Sequence, residues 1–268
     1  MKNLKLLIGI AFISMLFFSC SNNSNQKKSE DSFDDIVVDN MDEMIETMPM
    51  PASYEIIQLL NKSGAGYVFD ITNPTDNVDK YITYKQKAIN LGIYAADLTY
   101  TTTYQKKDET AQYFDNFVQL VSDLEITTLN RQLFESVQNN LDNKDSLIFI
   151  IKKAQYDTQK FLNETGKDEF ALYALTGSWI EGMYLVGATV KFADNKQPLY
   201  NIIFKYEKSL KELIKLMETY KDNENFKDLY KSLNEINDLF NTLEKDKKDL
   251  KTIGQLKDKI MDFRNSLI

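Results

Sequence analysis

From Ser53 onward, apolar residues return every three or four positions along almost the whole chain. That period is the signature of helices with a buried face. Ser53 can cap a first helix, which is predicted to run to Lys62, with Gly64 as its stop. YVFDI (67–71) reads as a short extended or loop segment. Asn73 followed by Pro74 is a cap with proline at the first helical position, and Asp76 sits in the first turn, so a long helix is predicted from there to about Tyr104. Further helices are predicted over 108–124, 128–141, 145–164, 168–193, 198–220, 224–243 and 247–266, with Thr127, Asn143 and Asn223 at capping positions.

Proline is absent between Pro74 and Pro198 and again after Pro198, which leaves long helices uninterrupted. The predicted connections are a few residues each and favour antiparallel neighbours. The expected fold is therefore all-α: a bundle or array of about eight or nine antiparallel helices forming a single domain over 51–268. The pattern also allows two similar four-helix halves. LGIYAADLTY (91–100) and LTGSWIEGMY (175–184) match at an offset of 84 through Leu91 and Leu175, Asp97 and Glu181, and Tyr100 and Tyr184. Convergent core patterning accounts for these matches about as well.

The first fifty residues break the helical pattern. Lys2 and Lys5 precede thirteen almost wholly apolar positions (6–18), then Ser19 and Cys20, the only cysteine of the chain. An apolar run this short is a secretory signal, since a spanning helix needs about 20 residues. Leu16-Phe17-Phe18-Ser19-Cys20 resembles the cleavage site of bacterial lipoproteins with a type II signal peptide, although Leu16 lies one position further from the cysteine than the usual leucine. The resemblance implies a signal peptide over 1–19, diacylation of Cys20 and anchoring in the cell envelope. The expected address is the outer membrane of a Gram-negative bacterium, facing either the periplasm or the surface. Two acyl chains suffice for stable anchoring. Residues 20–50 read as a lipidated acidic tether, too polar at first to offset the entropy of ordering. A weakly amphipathic stretch follows from Asp34 to Glu46, and Pro49 and Pro51 end it. The whole layout resembles uncharacterised all-helical envelope lipoproteins of Bacteroidota, a likeness of general plan that implies no catalytic residue.

Composition removes most chemistries. The 268 residues contain no histidine, one cysteine, and 32 Lys+Arg against 40 Asp+Glu, for a net charge of −8. No histidine means no Ser-His-Asp machinery, no imidazole ligand and no Glu-x-x-His di-iron site. One cysteine makes no internal disulfide. The acidic balance is wrong for general nucleic-acid binding. Gly64-Ala65-Gly66 lacks the Lys-Ser/Thr of a phosphate loop, and Asp222-Asn223-Glu224-Asn225 lacks the spacing of a calcium loop. We therefore expect no metal and no cofactor. The Lys, Asp and Glu alternation after Lys205 is a solvated face, and Leu210, Leu213, Leu216, Leu229, Leu233, Ile236 and Leu239 turn to a core or a partner.

One polar stripe stands out. Asn90, Tyr94, Asp97, Thr101 and Tyr104 share a helix face, while Ala88, Leu91, Ile93, Ala95 and Leu98 make the rest of that helix apolar. Glu181 lies in an equally apolar stretch after Trp179 and Ile180, with no basic residue between Lys167 and Lys191. Gly92, Gly177, Gly182 and Gly187 open these helices to close approach by a backbone or a ligand. Two readings follow. In one, Asp97 and Glu181 satisfy buried groups and set helix register. In the other, Asn90, Tyr94, Asp97, Tyr100, Trp179, Glu181 and Tyr184 line a pocket for a small polar ligand. The expected function is a lipid-anchored envelope protein with a non-catalytic binding or assembly role. The polar-ligand receptor and a carboxylate-based hydrolase are the other two readings. The expected partners are the membrane through Cys20 and an envelope protein or small polar ligand, with no nucleic acid.

Overall fold

The computed structural model describes residues 52–128, 131–245 and 250–268. The signal peptide, Cys20 and the tether lie outside the described residues. The described chain is all-α, with ten α-helices and three short 3-10 turns. In order these are α1 (Ala52–Lys62), α2 (Tyr84–Thr103), α3 (Lys107–Asp123), α4 (Arg131–Asn139), α5 (Lys144–Glu164), α6 (Asp168–Thr189), α7 (Gln197–Lys205), α8 (Glu207–Met217), α9 (Lys227–Lys245) and α10 (Leu250–Asn265). None of the described helices is long and apolar enough to cross a membrane.

Two predicted helices are broken in ways the local chemistry explains. The helix expected from Pro74 to Tyr104 is a 3-10 turn (Thr75–Lys80), a short break, and then α2. The restart is a capping box: Thr83 Oγ1 accepts the Gln86 amide, and the Gln86 side chain accepts the Thr83 amide at 3.1 Å. Burying Val78 and Tyr81 against the body needs the bend. The helix expected over 198–220 divides at Tyr206, whose buried hydroxyl donates to Glu55 on α1 at 2.9 Å. The predicted cap at Asn143 is present, its side chain accepting the Ser146 amide at 3.2 Å. Among the predicted C-terminal apolar positions, Leu210, Leu213, Leu229, Leu233 and Ile236 are buried, Leu239 packs partly buried against the core, and Leu216 is exposed.

The centre of the fold is the pair α2 and α6, each enclosed on nearly all sides. They touch backbone to backbone. A Cβ added to Gly92 would lie 1.9 Å from the Ala174 carbonyl oxygen, and one added to Gly177 would lie 1.9 Å from the Ile89 carbonyl oxygen. The pair is not consecutive in the chain, and it runs parallel. Asp97 lies beside Glu181, and Tyr100 reaches Thr189 further along in the same direction. Three helices, α3, α4 and α5, separate the two in the chain, and strict alternation of direction along the chain would also leave α2 and α6 parallel. α2 starts at Tyr84 and α6 at Asp168, the same offset of 84 that relates their sequences. Their flanks differ, since a looped segment and a 3-10 turn precede α2 whereas α5 leads directly into α6.

The other helices cover this pair. α1 packs on α6 at Gly182, where an added Cβ would lie 3.0 Å from Ser53 Cα. α10 packs on α6 in the opposite sense, Arg264 meeting Glu181 while Lys257 meets Gly187. Single methyl groups at the α2–α6 contact have nowhere to go. Gly92→Ala and Gly177→Ala should each destabilise the fold by about 3 kcal/mol or more through overpacking. Gly254→Ala, in α10 with no atom near its missing Cβ, should stabilise it by up to about 1 kcal/mol. Thermal melts of the three variants check this contrast.

Candidate functional site

Residues 65–81 connect α1 to α2 and carry little secondary structure of their own, so side chains of α2 and α3 must satisfy their backbone groups. Tyr104 Oη donates to the Ala65 carbonyl (2.8 Å), Tyr100 Oη accepts the Val68 amide (2.9 Å), and Tyr94 Oη donates to the Pro74 carbonyl (2.9 Å). From α3, Tyr113 Oη donates to the Asn73 carbonyl (3.0 Å) and Asn116 Nδ2 to the Thr75 carbonyl (2.8 Å). Asn73 is the hub. Its side-chain amide donates to Tyr81 Oη (2.8 Å), and its backbone amide donates to Asp97 Oδ2 (3.1 Å). Asn90 Nδ2 donates to the Leu267 carbonyl (2.9 Å), which ties the end of the chain to α2. The polar stripe of α2 is thus spent on holding two peripheral segments.

Beneath this layer sit the acids. Asp97 and Glu181 are both 0% exposed. Glu181 is held by Arg264 of α10 in a two-pronged pair: Arg264 Nε donates to Oε2 (2.9 Å) and Nη2 to Oε1 (3.1 Å). The guanidinium also lies over the Tyr184 ring, 4.4 Å from its centre. Burial alone would lower the Arg264 pKa, but the charge and hydrogen bonds of Glu181 raise it, so it stays a cation.

Two carboxylates and one guanidinium leave an excess negative charge in a dry interior, which is costly. Asp97 resolves it. Burial, and then the neighbouring Glu181 charge, push the Asp97 pKa well above the carboxylate range, against the opposing pull of Arg264 and the Asn73 amide. Asp97 Oδ1 is buried and meets no N–H or hydroxyl donor. A proton there makes it the donor of a hydrogen bond to Glu181, and the cluster becomes neutral. The surrounding tyrosines stay protonated as well. Burial raises Tyr81, Tyr94 and Tyr113, and brings Tyr100 to about 12.

The structure brings together Asn90, Tyr94, Asp97 and Glu181, with Tyr184 joined through Arg264. Tyr100 lies one layer away, stacked on Tyr67 at 4.8 Å. Trp179 points elsewhere: its Nε1 donates to Ser209 on α8 (2.9 Å). Neither acid lines any of three pockets found among the described residues. Among the described residues no three metal-ligating side chains converge, and Arg264 takes the position a cation would hold. The sequence reading missed Arg264 and Asn73. Arg264 carried a signal, being one of two arginines in the chain and lying among Ile260, Phe263 and Leu267 on an apolar face.

No family model, curated protein or solved structure matches the chain.

The raised Asp97 pKa fixes the sign of a pH effect. A group protonated in the folded state but ionised when unfolded contributes stability that is complete below the unfolded pKa and is lost as pH rises through the folded one. Melting temperature should therefore fall from mildly acidic toward alkaline pH, Asp97 being one source of the slope. Asp97→Asn mimics the protonated acid, donating to Glu181 and accepting from Asn73. It should flatten that slope while keeping or raising stability at neutral pH. Arg264→Ala strands Glu181 and should cost about 3–5 kcal/mol. Denaturant titrations across pH check both.

Proposed function

We propose that the protein is a lipid-anchored, non-catalytic binding or assembly component of the cell envelope, held at the outer membrane through Cys20. The observation that carries the non-catalytic part is the enclosure of its best acid–base candidates. A carboxylate-based hydrolase keeps its two acids about 5–10 Å apart around an accessible bond. Asp97 and Glu181 are instead direct neighbours, with 0% exposure and Arg264 across Glu181. The polar groups that would have greeted a small ligand between α2 and α6 are engaged within the chain: Asn90 with Leu267, Tyr94 with Pro74, Trp179 with Ser209. The anchoring part rests on the sequence: a short basic start, thirteen apolar positions and the only cysteine at their end.

Two measurements test the reading. In a Gram-negative host the protein should sediment with membranes, and its mature N-terminus should begin at a diacylated Cys20. Cys20→Ala should leave an uncleaved precursor or a form released from the membrane. An unchanged N-terminal mass and unchanged fractionation would overturn the anchor. For the non-catalytic role, Asp97→Asn should capture the same envelope components as the wild-type protein in a pull-down from native membranes. Loss of capture by a variant that melts normally would place the acids in the binding site instead.

A further inference from the structure

Where α10 leaves the acid cluster and runs back along α6, the two helices do not close. They leave a pocket of about 410 Å³, lined by Ile71, Tyr184, Ala188, Phe192, Ile260 and Met261, with Lys191 and Lys257 among the residues around it. The size falls within the range of small-molecule sites. Phe192 is 62% exposed and Met261 39% exposed, an apolar surface left to water at the pocket itself.

The charged side chains among the pocket's lining residues are these two lysines, with no carboxylate beside them in the lining. The chain carries a net charge of −8, and many of its surface lysines are matched to carboxylates; Lys259, two residues from Lys257, pairs with Glu235. Among the described residues neither Lys191 nor Lys257 forms an ion pair, and the Lys191 ammonium lies 5.8 Å from the Phe192 ring centre. Gly187 sets the position of the second lysine. A Cβ there would stand 3.0 Å from Lys257 Cγ, so the missing side chain lets the Lys257 stem lie against α6. An apolar trough flanked by two uncompensated ammonium groups, in an otherwise acidic protein, has a definite complement.

We propose that this pocket binds a single-chain aliphatic carboxylate, its chain along Ile71, Ala188, Phe192, Ile260 and Met261 and its head group between Lys191 and Lys257. The proposal deepens the binding reading above by naming a ligand class. It does not depend on the lipid anchor, because the chain tested below carries none.

The test is isothermal titration of the full chain carrying Cys20→Ser, with dodecanoate below its micelle threshold. Saturable binding at one site is expected, at least tenfold tighter than that of dodecyltrimethylammonium, which has the same chain and the opposite charge. Decanoate, two methylenes shorter, should bind about fifteenfold more weakly. Lys191→Gln with Lys257→Gln should weaken dodecanoate at least tenfold and should not weaken the cationic amphiphile, whose binding tightens if anything once two like charges are gone. Ala188→Trp should fill the trough and abolish binding. Met261→Asp, at a half-exposed position, puts a carboxylate against the chain and serves if the tryptophan variant does not fold. Equal affinity for the two amphiphiles, or binding indifferent to the lysine and Met261 changes, overturns the proposal. So does sedimentation with anionic phospholipid vesicles without saturable dodecanoate binding. Failure here leaves the anchoring of Cys20 intact, and failure of the anchor leaves this titration unaffected.

Discussion

The backbone contact between α2 and α6 is the constraint on which the rest of the structure depends. Gly92 and Gly177 let the two helices meet with no side chain between them. That closeness makes them the innermost elements, so nearly every residue on them is buried whatever its chemistry. It also makes Asp97 and Glu181 neighbours, because parallel helices in contact keep the same register past the crossing. A carboxylate pair in a dry interior is then imposed by geometry, and the surrounding chain has to neutralise it.

A proton on Asp97 and the Arg264 guanidinium balance the charge, while the hydrogen bonds that hold the two acids come from both ends of the folded region. Residues 65–81 supply the Asn73 amide to Asp97 from one side, and α10 supplies Arg264 to Glu181 from the other. Both segments also pack apolar residues into the core, Ile71, Val78 and Tyr81 from the first and Leu256, Ile260 and Phe263 from the second. The first is mostly irregular, and the second is the last helix of the described chain. A buried ion pair adds little net stability compared with a well-packed apolar cluster, yet removing one partner is expensive. The cluster therefore acts chiefly on placement. A shifted α10 would strand a guanidinium and a carboxylate together, so only one docking of that helix is tolerated.

Much of this frame was legible in the sequence. Proline spacing and the three-to-four period located most helices, and the uniformly apolar composition of 91–100 and 175–184 marked the central pair. The breaks at Tyr81 and Tyr206 were not legible, because each depends on a tertiary partner: the Asn73 side chain for Tyr81 and Glu55 for Tyr206. Periodicity reports which face of a helix is buried and carries nothing about the direction of its neighbour. The two acids were found because a charge inside an apolar helix is anomalous by itself. Their cation was missed because it sits 83 residues beyond Glu181, on a helix whose abundant lysines made one more base look ordinary. Trp179 was drawn into the expected pocket lining by sequence proximity, although two residues before Glu181 on a helix is a different face.

The acid cluster and the apolar pocket share walls. Tyr184 has Arg264 over its ring and also lines the pocket, and α10 contributes Arg264 to the first and Lys257, Ile260 and Met261 to the second. The pocket thus lies largely along the seam between α6 and α10, which Arg264 joins at the acid cluster. A bundle zipped by apolar side chains alone would tend to close such a seam, since closing it removes Phe192 and Met261 from water. A charge pair with fixed geometry resists closure, because sliding α10 inward to cover those residues would misalign two hydrogen bonds that have no replacement in the interior. The buried ion pair and the exposed apolar surface are thus two parts of one helix contact, and a change at Arg264 bears on both.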